Sequence, residues 1–217
     1  MDLINLALMA TSPMVVNEIV NVQVVATASD TQQRIFSTDL VFGWDPTVLE
    51  FVGIDNTGTL ANTNLSFLAT GTWDFYGINE TMPPADGNGL YFWLSPLTGM
   101  PVYVQNTGNL LTTLKFRVLQ PVATTVEIIP KLTVNAPATT VIYGSDIAGM
   151  PVTGTFTNAE LSCKMGDFNC DGITGSADMG LLLSEWNNTA FTDSPLDLNG
   201  NGVVDAGDLS ILLDNWG

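Results

Sequence analysis

Two stretches, DFNCDGITGSAD from Asp167 to Asp178 and DLNGNGVVDAGD from Asp197 to Asp208, lay down one order of oxygen-bearing side chains thirty residues apart. In each twelve-residue window, oxygens fall at positions 1, 3 and 5, a glycine at 6 and a carboxylate at 12. Alternate residues can face a common centre only if the chain bends sharply, and Gly172 and Gly202 supply that bend. The order is that of an EF-hand calcium loop, built to give a hard cation about six to eight oxygens. The first loop offers Asp167, Asn169, Asp171 and Asp178 with the Ile173 carbonyl. The second offers Asp197, Asn199, Asn201 and Asp208 with the Val203 carbonyl. At position 9, Gly175 leaves room only for water, whereas Asp205 keeps a side-chain ligand. Asp, Asn and Gly ordinarily mark turns, so one such match carries little. Two in one register, each running into a similar segment (DMGLLLSEW from Asp178, DLSILLDNW from Asp208), read as a duplication that holds two calcium ions.

The duplicated loop with Asp at position 12, one helix after each loop and none before the first, resembles the dockerin module of cellulosome-type assemblies. The resemblance covers about residues 165 to 217. Thr174 at position 8 departs from it, because an Ile or Val usually packs there; Val204 keeps the expected type.

Charge supports a cation in this region. The 217 residues hold 22 acidic side chains against five Lys and Arg, and from Met165 onward there are nine acids and no base. Such a module repels itself without a counter-ion, which ties calcium to its folding. The same balance disfavours nucleic acid and anionic membranes, since no basic surface exists to meet phosphates. With no histidine, Ser-His and Cys-His nucleophile systems and the usual zinc sites are excluded. No apolar run reaches membrane-spanning length, and the first ten residues carry Asp2 without a positive stretch, so they read as no signal peptide. The expectation is an extracellular or cell-surface protein whose leader is not in this chain. Cys163 and Cys170 lie seven apart at the start of the first loop. Two small buried thiols or a disulfide both fit, and the even count together with an exterior setting favours the disulfide.

Upstream, β-branched and aromatic runs broken by Gly, Pro, Asn and Asp predict an all-β domain. Alternation over Phe36, Leu40, Phe42 and Trp44, and over Leu110, Leu114, Phe116 and Val118, gives strands with one buried face. Further strands are expected near residues 3–9, 19–28, 89–95, 125–134, 139–143 and 152–161. Eight or nine strands with no helix between them imply a mainly β chain: a jelly-roll-like sandwich over 1–162, followed over 163–217 by a small α-helical module of two EF-hand-type calcium loops. The segment FSTDLVFGWDPTVLEFVGI (Phe36 to Ile54) resembles the cohesin hallmark, and GNLLTTLKFRVLQP (Gly108 to Pro121) is similar to a later cohesin strand.

Two other readings compete. Carbohydrate-binding modules share the sandwich and stack sugars on exposed aromatics, for which Trp73, Phe75, Tyr76, Tyr91, Trp93 and Tyr103 are available, although aromatics at alternate strand positions are usually core. A glycosidase needs only a carboxylate pair, yet nothing in the spacing of Asp39, Asp45, Glu50, Asp74 and Glu80 selects one. The expectation is no enzyme.

Cohesins bind dockerins, so a chain with both is self-complementary. Five residues separate Leu161 from Asp167 and reach less than ~20 Å, too short for the module to present its helices to its own sandwich sheet. The resemblance therefore implies docking onto the cohesin-like domain of another copy, a head-to-tail contact that grows into a fibre or scaffold unless it closes. A foreign cohesin as partner is the alternative. Helical spacing assigns Met179, Leu182, Leu183 and Trp186, with Leu209, Leu212, Leu213 and Trp216, to a buried stripe. Leu181 and Ile211 fall on the other face as expected docking residues. Loop positions 10 and 11, which lie at the cohesin contact in dockerins, are Ser176-Ala177 and Ala206-Gly207; all are small, but the pairs differ, implying one docking orientation. On the sandwich, outward residues of Phe36–Trp44 and Tyr91–Leu97, Asp39 among them, are the matching candidates.

Overall fold

The structure, a computed structural model, describes residues 3–60, 65–68, 87–94, 102–132, 138–144, 150–189 and 194–217. Its strands are β1 (Ile4–Ala10), β2 (Ile19–Ala28), β3 (Gln32–Gly43), β4 (Leu49–Asp55), β5 (Leu65–Leu68), β6 (Asn88–Leu94), β7 (Val102–Gln105), β8 (Asn109–Val118), β9 (Thr124–Ile128), β10 (Lys131–Leu132), β11 (Ala138–Thr139), β12 (Val141–Gly144), β13 (Met150–Pro151), β14 (Thr153–Thr157) and β15 (Ala159–Leu161). They precede two helices, α1 (Ser176–Ser184) and α2 (Ala206–Asp214). One large sheet runs β14-β1-β2-β8-β4 and a second β13-β12-β3-β6-β5, with β7 and β9 also pairing with β3 and β15 with β9; β10 and β11 form a small two-stranded sheet. Pairing is antiparallel except between β1 and β14.

Period-2 alternation builds the sandwich. In β2 every second residue from Val20 to Ala28 is buried, and β1 does the same from Ile4 to Leu8. The inner faces meet in an aromatic cluster. Phe42 and Trp44 come from one sheet and Phe51 and Phe116 from the other, with ring centroids 5.3 to 5.6 Å apart. Each such contact adds about 0.5–1.5 kcal/mol beyond its burial. Gly89 makes room for it: a Cβ there would fall 2.4 Å from the Phe42 ring. The hallmark turn after Trp44 is fastened by Asp45, whose Oδ1 accepts the Thr47 N–H at 2.8 Å and the Thr47 hydroxyl at 2.7 Å. Those bonds, the hydroxyl's first, lower the Asp45 pKa.

Four expectations change. Leu110 is only half-buried: the pairing of β8 with β2 slips between Val24 and Val25, which turns Leu111 inward in its place. Phe36 is not core: the pairing with β12 slips between Ser37 and Ile35, so the bulge turns Ile35 inward and leaves Phe36 half-buried. The strand expected over 125–134 stops at Ile128, ahead of Pro130, which has no N–H to donate to a ladder. The 152–161 strand is interrupted at Asn158, whose side-chain oxygen accepts the Ile128 N–H at 3.0 Å. The short strands β5 and β7 were not anticipated.

Candidate functional site

The two loops share one internal wiring. At position 1, Asp167 accepts the N–H groups of Asp171 (3.1 Å) and Gly172 (2.9 Å), while Asp197 accepts those of Asn201 (3.1 Å) and Gly202 (2.7 Å). At position 12, Asp178 Oδ1 accepts the Asn169 N–H at 3.3 Å and Oδ2 the Gly175 N–H at 2.8 Å. Asp208 repeats this with Asn199 (3.1 Å) and Asp205 (2.8 Å). At position 5, Asp171 accepts the Ile173 N–H at 3.0 Å and Asn201 the Val203 N–H at 2.9 Å. The position-6 glycines take the left-handed backbone the bend requires, with φ of 92° at Gly172 and 87° at Gly202. Asp205 differs from its counterpart Gly175 by capping α2, accepting the Gly207 N–H at 2.7 Å.

The halves are fastened by exchange. The Gly217 N–H, past α2, donates to the Thr174 carbonyl of the first loop at 3.0 Å; the Asn187 N–H, past α1, donates to the Val204 carbonyl of the second at 2.9 Å. Position 8 thus joins each loop to the chain that leaves the other helix. Thr174 is fully buried there and its hydroxyl is satisfied by the Met165 carbonyl at 3.2 Å, which is how a polar residue stands where Val204 stands in the repeat. Lys164 also donates its ammonium to the Gly217 oxygen.

These residues fit a hard cation. Asp167, Asp178 and Asp208 are all but inaccessible, and the ion pairs Lys115–Asp55 (3.1 Å) and Arg117–Glu50 (3.0 Å) lie on the sandwich. Buried carboxylates require a compensating charge or metal. Asp178 Oδ1 accepts a second N–H, from Phe168 at 2.8 Å, whereas Asp178 Oδ2 and both Asp208 oxygens each hold one and keep a second lone pair. Among the described residues no three Cys, Asp or Glu side chains converge as a metal cluster. What the loops offer is instead a mixed set of carboxylate, carboxamide and main-chain oxygens, the donor chemistry of calcium rather than of zinc.

The helices bury less than their periodicity predicts. Leu182 and Leu212 are fully buried with Val204, and Met179 and Leu209 pack partly against them. Leu183, Trp186, Leu213 and Trp216 are instead exposed. Each helix is only nine residues long, so both tryptophans lie beyond its end, and the inward places of the first turn are taken by Asp178 and Asp208. Leu181 is 42% exposed, whereas Ile211 is half-buried. Ser176, Ala177 and Ala206 are exposed and Gly207 is half-buried, packed beside Asn199.

Cys163 and Cys170 form a disulfide, with Cα atoms 5.3 Å apart. Cys170 belongs to the sandwich core, and the Val16 N–H donates to its carbonyl at 2.8 Å. Sequence reasoning passed over the segment Met14–Val16. The one available signal was a cysteine at position 4, where the repeat has Gly200.

On the sandwich, Asp39 is half-buried on the outer side of β3, between Val141 of β12 and Phe92 of β6, and burial raises its pKa. Tyr91 and Trp93 are core side chains, so they offer no sugar platform, and Tyr103 is exposed. Trp73, Phe75, Tyr76, Asp74 and Glu80 lie outside the described residues, as do residues 95–97. Glu50 accepts the Arg117 guanidinium N–H at 3.0 Å and Asp45 the Thr47 hydroxyl at 2.7 Å. No described helix is long and apolar enough to cross a membrane.

No family model and no curated protein matches the chain. Solved structures do. The third ScaC cohesin of Acetivibrio cellulolyticus, in complex with the ScaB dockerin, matches with a TM-score of 0.53 at 12% identity over 73% of this chain and 97% of that one. A type I cohesin–dockerin complex from Clostridium thermocellum matches with a TM-score of 0.53 at 12% identity over 74% and 98%. A type II cohesin domain from the Acetivibrio cellulolyticus cellulosome gives 0.51 at 15% identity over 73% and 95%. At these identities the likeness is one of fold: the chain carries a β-sandwich of the cohesin kind.

Proposed function

We propose that the chain is a non-catalytic, extracellular assembly protein. Its dockerin-like module, residues 163–217, binds two calcium ions and docks on the cohesin-like sandwich of a neighbouring copy, head to tail. The observation that carries this reading is the pairing, in one chain, of a cohesin-type sandwich with twin loops whose buried carboxylates have no basic partner among the described residues. Calcium would be held in the first loop by Asp167, Asn169, Asp171, Asp178 and the Ile173 carbonyl. In the second it would be held by Asp197, Asn199, Asn201, Asp208 and the Val203 carbonyl, with Asp205 at position 9. It neutralises those carboxylates and sets the angle of each helix to its loop.

The attachment of the module supports docking between copies. The disulfide and the Val16–Cys170 bond fasten the first loop to the end of the sandwich, which removes the freedom needed to swing round onto the outer face of β3 and β6. Leu181, Ser176 and Ala177 on one repeat, with Ile211, Ala206 and Gly207 on the other, form the docking candidates, and Asp39 is the candidate on the receiving sheet. The inequality of exposed Leu181 and half-buried Ile211 favours one docking orientation. A head-to-tail contact that does not close propagates as a filament.

Analytical ultracentrifugation and electron microscopy of the purified protein, with calcium and then with a chelator, test this. Filaments or large rings that disappear on chelation are expected. Compact monomers in calcium at high protein concentration would remove the proposal. Leu181→Asp is expected to weaken assembly more than Ile211→Asp, and equal losses would contradict a single orientation.

A further inference from the structure

The two loops share a ligand order, yet among the described residues loop 1 alone is built into the sandwich. Cys170, at its fourth position, is fully buried among the sandwich's core side chains, and its disulfide partner Cys163 packs on the same cluster. Three successive residues ahead of β2 hold this corner. The Met14 N–H donates to the Ser162 carbonyl at 2.9 Å, and Val15 packs so close to Gly172 that a Cβ there would meet its methyl at 3.3 Å. The Val16 N–H donates to the Cys170 carbonyl at 2.8 Å. A crevice of about 220 Å³ opens beside this contact, with Met14 and Val15 of the segment and Asp167 and Gly172 of the loop on its wall. Two loop residues that flank the ligand Asp171, one on each side, are therefore held from outside the loop.

The backbone of Cys170 shows the same imposition. Its φ is 54°, in the left-handed region that side chains disfavour, and the equivalent residue of loop 2 is Gly200 at 70°. A conformation that glycine takes freely has been given to a cysteine, and it persists because the disulfide, the burial and the Val16 bond determine it together.

We infer that Cys170, through Cys163 and Val16, is a positioning residue for the calcium ligands of loop 1, so that calcium binding in loop 1 is coupled directly to the sandwich while binding in loop 2 is not. This rests on the calcium reading of the loops. Ligands ordered before binding lose less entropy on binding, and groups behind the ligands commonly carry about ten- to a hundred-fold in metal affinity. Linkage makes the effect reciprocal: calcium in loop 1 stabilises the sandwich that holds it. Loop 2, with Asp205 where loop 1 has Gly175, relies instead on its side-chain complement.

Calorimetric titration of the full chain with calcium chloride tests this in two backgrounds, Asp197→Ala to disable loop 2 and Asp171→Ala to disable loop 1. Each is compared with and without the pair Cys163→Ser and Cys170→Gly, glycine being chosen because Gly200 shows that it holds this backbone. In the first background the dissociation constant is expected to rise about ten- to a hundred-fold. In the second it is expected not to change. Calcium should also raise the unfolding midpoint of the β-sheet signal with Asp197→Ala and not with Asp171→Ala. An unchanged loop 1 constant, or an equal shift in loop 2, overturns the inference. If the unaltered chain takes up no calcium, the reading of the loops fails first, which the titration shows separately. Should the cysteine pair prove necessary for folding, Val15→Ala leaves the disulfide intact and is still expected to weaken loop 1 alone; no shift there overturns the inference as well.

Discussion

The sandwich and the module are held together by opposite means. The sandwich packs about thirty buried apolar side chains between two sheets, and its ion pairs sit at the surface, where they contribute little. The module's own core is Leu182, Val204 and Leu212 with a few partly buried neighbours, and beside it two fully buried carboxylates, Asp178 and Asp208. A core that small stabilises a fold weakly, and buried anions destabilise it until something neutralises them. One part of this chain folds on water exclusion and the other on charge compensation, so the two should fail under different insults.

Chelation should separate them most sharply. Removal of calcium is expected to abolish the helical signal of α1 and α2 and open residues 171–217 to proteolysis, while the sheet signal persists; limited digestion with mass mapping reads this out. Loss of both signals together would show that the sandwich, too, depends on charge compensation by calcium. Next in size, Phe42→Ala should cost the sandwich about 3–5 kcal/mol in denaturant unfolding, because it empties the centre of the aromatic cluster. It should leave calcium uptake by loop 2 untouched. Leu182→Ala should cost about 2–5 kcal/mol in the module and be partly rescued by saturating calcium, a rescue that Phe42→Ala cannot show for loop 2. The smallest effect concerns Asp39, whose pKa is raised by burial. Its unfolded form ionises first as pH climbs past the ordinary carboxylate value, so the penalty appears as pH rises and is absent in acid. Asp39→Asn should therefore raise the unfolding midpoint slightly at neutral pH and not at pH 3; an equal gain at both would point to packing rather than charge.

Residue patterns made the architecture legible where they were local. Alternation in β2 and over Leu114–Val118 of β8, the Trp44-Asp45-Pro46 turn and the repeated loops all follow from spacing that short-range geometry enforces. Legibility failed where tertiary contacts decided. Phe36 and Ile35 exchange sides because of a bulge set by the partner strand. Leu183 and Leu213 obey the helical period yet remain exposed, because buried Asp178 and Asp208 claim the inward places of helices barely two and a half turns long. The seam between Val16 and Cys170 joins residues more than 150 positions apart in the chain, and no pattern within either segment announces it.

The exchanged bonds past the two helices carry a consequence for what can be moved. Gly217 completes the first loop and Asn187 the second, so a single loop and helix, excised, would leave behind the residue that closes it and take along the one that closes its twin. Neither repeat is a transplantable unit by itself. Swapping, shuffling or grafting this module onto another scaffold has to carry both halves, and the pair, rather than the twelve-residue loop, is its smallest portable piece.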